Sequence, residues 1–138
     1  MTATNELYLK SSAQSISELE NYLESLLKKN YISVERYAEI LISLTEAVNN
    51  AIIHGNKNDE RKVVVVQCVN KTSGFSFIVK DQGKGFDPAN IPDPTLEDQI
   101  ECCGGRGVHI MKQLSDKIDF KNNGRVVEMY FENCKSVM

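Results

Sequence analysis

The run Val63–Val64–Val65–Val66–Gln67–Cys68–Val69 leaves this chain few choices. β-Branched side chains are stiff about χ1 and pack best on a pleated surface. A nearly continuous run of them predicts an interior strand, central in its sheet. Asn70 to Gly74 reads as a turn. Beyond it Phe75, Phe77 and Val79 alternate with Ser76, Ile78 and Lys80, so the two runs form an antiparallel hairpin. Lys117–Lys121 and Arg125–Phe131 alternate in the same way around Asn122–Asn123–Gly124, a left-handed-tolerant turn that predicts a second hairpin. Leu7 and Leu9 share one side of Glu6–Lys10, a short edge strand.

The other periodicity is helical. Ile16, Leu19, Leu23, Leu26 and Leu27 recur at helix spacing between Ser12 and Lys29. Ser11 with Gln14, or Ser15 with Glu18, supplies the pattern of a capping box. A second helix is predicted from an N-cap at Ser33 to His54. Its apolar face is Tyr37, Ile40, Leu41, Leu44, Val48 and Ala51. Gly55–Asn56 ends it as a left-handed-tolerant pair. A third helix opens at Gly104–Gly107, with Val108, Met111 and Leu114 turned inward.

Helices and antiparallel strands are segregated along the chain rather than alternating. That order predicts an α+β class: a two-layer sandwich, its mixed sheet covered on one face by about three helices. The 138 residues fit one domain spanning 1–138. Residues 86–104 hold all three prolines, Pro88, Pro92 and Pro94, and show no periodicity. A loop of that length in a compact domain is commonly a lid or a binding loop.

A net charge of −3 argues against direct nucleic-acid binding. Cys68, Cys102, Cys103 and Cys134 form no C-x-x-C pair, and neither His54 nor His109 has metal-type spacing. No apolar run approaches the roughly 18 residues of a membrane span. The N-terminus does not resemble a secretory signal. These features lead us to expect a reduced, cytoplasmic protein that does not associate with membranes.

Three short motifs carry chemistry. Glu46 and Asn50 lie one helical turn apart on a polar stripe with Glu39, Ser43 and, at its edge, His54. An Asn carbonyl oxygen is a hard, neutral ligand for Mg²⁺ otherwise held by phosphates and water. A carboxylate one turn earlier can accept a proton from a hydroxyl nucleophile. Asp81-x-Gly83-x-Gly85 follows a strand directly. An ionised Asp only accepts hydrogen bonds, which suits the exocyclic amino group of adenine. The glycines permit close backbone approach to a flat base. Gly105–Arg106–Gly107 opens a helix, where free N–H groups and the helix dipole favour phosphate. Arg106 and Lys84 are candidate phosphate contacts. Singly, each motif also fits an ordinary polar helix face or a glycine turn. Their order gives them weight: a helical E-x-x-x-N, a strand-terminal D-x-G-x-G, a long loop, and a G-x-G that opens a helix.

In that combination the chain resembles the GHKL ATPases. The likeness is strongest to the bacterial anti-sigma factors that double as serine kinases. Thr45–Gly55 looks like their N box, Asp81–Pro88 like the G1 box, and Gly105–Leu114 like the G2 box. The resemblance runs from about Leu7 to Phe131. It implies a Bergerat-type sandwich that binds ATP and Mg²⁺. On its terms Asn50 is the magnesium ligand, Asp81 reads adenine, and Gly83 and Gly85 line the nucleotide. Gly105 and Gly107 face the phosphates beneath the lid, and Glu46 is the general base. It further implies two partners, an anti-sigma-factor antagonist with a serine acceptor and a sigma factor, together with a homodimer. A nucleotide-gated adaptor of the same fold without kinase activity is the alternative. A sensor histidine kinase would need a dimerising hairpin with an acceptor His. The acidic segment Leu96–Glu101 departs from what a phosphate-covering lid would favour. The first helix and the lid are the candidate partner faces.

Overall fold

The computed structural model describes residues 4–29, 31–83, 105–132 and 134. Five strands form one sheet: β1 Thr4–Lys10, β2 Val63–Asn70, β3 Gly74–Lys80, β4 Lys117–Lys121 and β5 Val126–Glu132. Their spatial order is β1-β2-β3-β5-β4. Helices α1 Ser15–Lys28, α2 Val34–Asn50 and α3 Gly105–Leu114 cover one face. Cys68 pairs with Phe77 and Phe77 with Met129, which sets three buried side chains in one row beneath the helices. Leu19, Leu23, Ile40, Leu44 and Val48 close the core from above.

The two-layer α+β sandwich is the expected one, but the sheet is antiparallel at every ladder rather than mixed. Two successive helices carry the chain out and back, so β2 must run against β1. The chain does return β4 parallel to β3, yet β5 lies between them and pairs antiparallel with both. β2 is interior as expected, but β3 takes the middle position.

Several local expectations also change. Neither capping box forms. Gln14 occupies the α1 N-cap position, and Ser15 donates its hydroxyl to the Lys10 carbonyl at 2.6 Å. Closing the β1–α1 corner takes the hydroxyl that would have capped the helix. Ser33 has the extended backbone of an N-cap, but its hydroxyl bonds no helix amide. Its N–H goes instead to the Cys134 carbonyl. Ser43 is fully buried, not on a solvated stripe. The left-handed residues after α2 are Lys57 and Asn58, with φ of 55° and 58°. Asn56 has φ −86° and ends the helix differently, as described below. In the second hairpin Asn122, Asn123 and Gly124 all take positive φ, as their sequence requires. The lid, with Lys84, Gly85, Cys102 and Cys103, lies outside the described residues.

Phe77 is fully buried at mid-sheet and meets the Phe131 ring edge-on at 6.1 Å. Phe77→Ala is expected to cost about 3–5 kcal/mol, the usual range for emptying such a site. A urea midpoint falling without a large change in slope would show it.

Candidate functional site

Helix α2 does not stop where its α-helical bonding stops. Ala51–Gly55 continues it as one π-helical turn, in which the Asn56 N–H reaches the Ala51 carbonyl at 2.7 Å. Such turns are rare and concentrate at functional positions. Here the turn delivers Asn56 to a buried point between three segments. The Asn56 carboxamide donates to Ser11 Oγ at 2.9 Å and to the Val63 carbonyl at 3.1 Å. Its oxygen accepts the Gln82 N–H at 2.7 Å. Gln82 in turn accepts the Val63 N–H through its side chain at 2.9 Å. The sequence reading missed Asn56 as a site-building residue. A Gly-Asn pair at a helix end reads first as a turn, and only the tertiary bonds show otherwise.

This junction presses the end of β3 against the end of α2. A Cβ on Gly55 would stand 2.5 Å from Asp81 Oδ2, and a Cβ on Gly83 would overlap the Gly55 carbonyl. Both glycines are therefore required by contact. Asp81 Oδ1 accepts the Gly83 N–H at 2.8 Å, and the Asp81 N–H donates to the Arg125 carbonyl at 2.9 Å. Burial pushes the Asp81 carboxyl above the ordinary carboxylate range. The Gly83 amide, then the charges of Arg125 and Lys62, pull it back in part.

Asp81 lies at the edge of a pocket of about 180 Å³. Ala51, Val79, Met111, Phe120 and Val127 give it an apolar lining, and Asn50, His54, Lys57 and Arg125 supply polar groups. Apolar walls with a few convergent polar groups are the usual form of a small-molecule site. Burial, and secondarily Lys57, hold the His54 imidazole below its ordinary pKa, so the neutral ring is favoured.

The third motif joins the first. A Cβ on Gly107 would lie 3.0 Å from Asn50 Nδ2 and 3.1 Å from Glu46 Oε2. A glycine at 107 thus lets the first turn of α3 sit directly on both side chains. Asn50 is the link, since it lines the pocket and touches Gly107. Glu46 stands on the Gly107 side, outside the pocket lining. Gly83 sits behind the pocket against Gly55. Gly105 begins α3, and Arg106 is exposed in its first turn. His109 is exposed as well. Among the described residues no group of three His, Cys, Asp or Glu side chains could hold a metal alone. A cation here would have Asn50 as a neutral oxygen ligand and would depend on phosphates and water for the rest.

Comparison with known proteins agrees with this fold. The family profile described as "Histidine kinase-like ATPase domain" matches residues 9–131. An anti-sigma F factor of Anoxybacillus flavithermus is 29% identical over 96% of this chain and 95% of its own length. One from Geobacillus thermodenitrificans is 31% identical over 83% of this chain and 81% of the relative, and one from Clostridium perfringens is 32% identical over 70% and 73%. A solved structure of the RsbU and RsbW domains of a Mycobacterium tuberculosis protein superposes with a TM-score of 0.65 at 14% identity. It covers 98% of this chain and 33% of that one.

Asn56→Ala leaves the Gln82 N–H and the Val63 carbonyl without their buried partner. It is expected to cost roughly 2–4 kcal/mol, as lost bonds and desolvated groups add. Urea unfolding measures the loss, and amide exchange at Gln82 and Gly83 should rise with it. Asp81 gives a second test. A carboxyl whose folded pKa is raised is penalised when ionised, so its contribution to stability falls as pH rises through and above the ordinary carboxylate range. Asp81→Asn removes that penalty. The variant should gain stability relative to the parent between acid and neutral pH, read from denaturation midpoints across that range.

Proposed function

The chain belongs to the histidine kinase-like ATPase family and is an ATP-binding domain of the anti-sigma-factor kind; from that premise we propose that it is a serine kinase acting on an anti-sigma-factor antagonist. One observation carries the proposal. Asn50 faces the same pocket as Asp81 and, with Glu46, lies against the glycine in the first turn of α3. That arrangement supports adenine reading by Asp81, metal holding by Asn50 and proton acceptance by Glu46.

In this reading the adenine ring enters between Val79, Met111 and Phe120, and its amino group donates to Asp81. Asn50 gives a neutral oxygen to Mg²⁺, which adds no repulsion against a triphosphate. Bound Mg²⁺–ATP supplies the phosphoryl group and neutralises its charge. The first turn of α3 offers N–H groups and the positive end of its dipole to the phosphates. Arg106 in that turn adds a guanidinium. Glu46 accepts the proton of the acceptor serine hydroxyl as that oxygen bonds to the γ-phosphorus, the bond from that phosphorus to the β–γ bridging oxygen breaks, and ADP leaves with the electron pair. The partners are the antagonist that bears the serine and a cytoplasmic sigma factor, held by a homodimer of this chain. Among the described residues no helix is long and apolar enough to cross a membrane.

Calorimetry of Mg²⁺–ATP binding tests the pocket. Asp81→Asn and Asn50→Ala should each weaken binding at least tenfold, and equal affinity in all three proteins would remove the nucleotide site. Labelled ATP with the antagonist tests the base. Glu46→Gln should lower transfer to serine by about 10²-fold or more, the scale of general-base catalysis, while ATP still binds.

A further inference from the structure

Surface helices normally turn charged side chains to water. The outer stripe of α2 does not. At 100° per residue, Val34, Ala38, Ile42, Thr45 and Asn49 fall on one line, and Ile53 extends it across the π-turn. Val34 is 74% exposed, Ile42 47% and Ile53 46%, with Tyr31 just before the helix at 48%. Three of the five large exposed hydrophobics of the described residues therefore lie along α2 and its π-turn, and a fourth, Tyr31, directly precedes them. Single exposed apolar residues need no explanation, but an aligned set marks a contact surface.

The edges of the line are acidic. On the α1 side, half-buried Tyr37 and Leu41 floor the crevice between the helices. Glu20 and Glu24 stand above it, near enough to Tyr37 to help hold its hydroxyl pKa up, after burial. On the α3 side Glu35 and Glu39 follow the stripe. Arg36 neutralises Glu39 at 3.2 Å and is also held by Asp116 at 3.1 Å. Among the described residues, Glu20, Glu24 and Glu35 are in no ion pair. Two copies of this chain packed through the stripe would set these carboxylates against each other. An anionic lipid surface would be repelled by the same charges.

We infer that the outer face of α2, from Val34 to Ile53, docks an amphipathic helix of a partner protein whose apolar stripe is flanked by basic residues. Apolar anchors at i, i+4 and i+8 match the helix-in-groove mode of recognition. The acidic edges select the partner and fix its register. The surface runs on α2, with α1 supplying one acidic edge through Glu20 and Glu24.

The probe is a labelled synthetic helical peptide with leucines at i, i+3, i+4 and i+7 and flanking lysines. Its binding to the full chain is read by fluorescence anisotropy. A second peptide carries glutamates in place of the lysines. The lysine peptide should bind at least tenfold more tightly than the glutamate peptide, with affinity falling as salt rises. Ile42→Asp and Val34→Asp should each weaken it at least tenfold without lowering the unfolding midpoint, since neither side chain is in the core. Asp119→Ala, on β4, should change nothing. The inference fails if the lysine peptide does not bind, if both peptides bind alike, or if a stably folded Ile42→Asp binds as the parent does. Self-association abolished by Ile42→Asp in sedimentation would assign the stripe to a second copy and overturn it. Competition by anionic vesicles would assign it to lipid with the same result. None of these readings depends on nucleotide, so they stand or fall apart from the kinase assignment.

Discussion

The buried carboxamide of Asn56 is the constraint from which the site is built. It satisfies its own donors and acceptor while joining the β1–α1 corner, the start of β2 and the first peptide beyond Asp81. Buried amide groups are costly unless paired, so these three segments can meet only in a register that pairs them. That register sets Gly55 against the Asp81 carboxylate and Gly83 against Gly55. The half-burial that raises the Asp81 pKa follows from it. A carboxylate partly withdrawn from water makes a stronger, more selective hydrogen bond to a ligand than an exposed one. The energetic cost is borne by the fold at that position.

The other half of the site depends on where α3 lies. Its first turn rests on Glu46 and Asn50 through a missing Cβ at Gly107. Beyond its last turn Asp116 receives Arg36 from α2 and the Glu132 N–H from β5, while the Arg36 guanidinium covers the Phe131 ring at 5.5 Å. The helix is thus fixed at both ends, by close packing at one and by charged hydrogen bonds at the other. Exposed ion pairs contribute little energy. This half-exposed one also ties three elements together, so its effect is on the position of α3 more than on stability.

Much of this was legible because local chemistry and tertiary role coincide. The valine run could be little but a strand, the two hairpins carried their own turn residues, and the order of the motifs holding Glu46, Asn50 and Asp81 led us to expect Asn50 and Asp81 in one site, where both now line one pocket. What stayed hidden depends on distant partners. The π-turn has no composition of its own. Ala51 to Gly55 would also continue an α-helix, and only the pull of Asn56 toward Ser11 and Val63 widens it. Ser43 sits at the same helical angle as Glu39 and Asn50, and nothing in the sequence says that it will be buried. The capping boxes failed for a similar reason, since the Ser15 hydroxyl was taken by the turn before it. The antiparallel ladder between β3 and β5 required knowing that the last strand inserts inside its hairpin partner.

Helix α2 therefore works on three sides at once. Ile40, Leu44 and Val48 hold it to the sheet, Glu46 and Asn50 face α3 and the pocket, and the line from Val34 to Ile53 faces out. His54 follows Asn50 by four residues and shares its side of the helix, and the wider turn takes in an extra residue per hydrogen bond before Gly55, so both line the pocket. A helix divided in this way joins the outer line to the pocket through one element. A ligand on either is coupled to the other only as far as it shifts α2, and any such coupling is reciprocal.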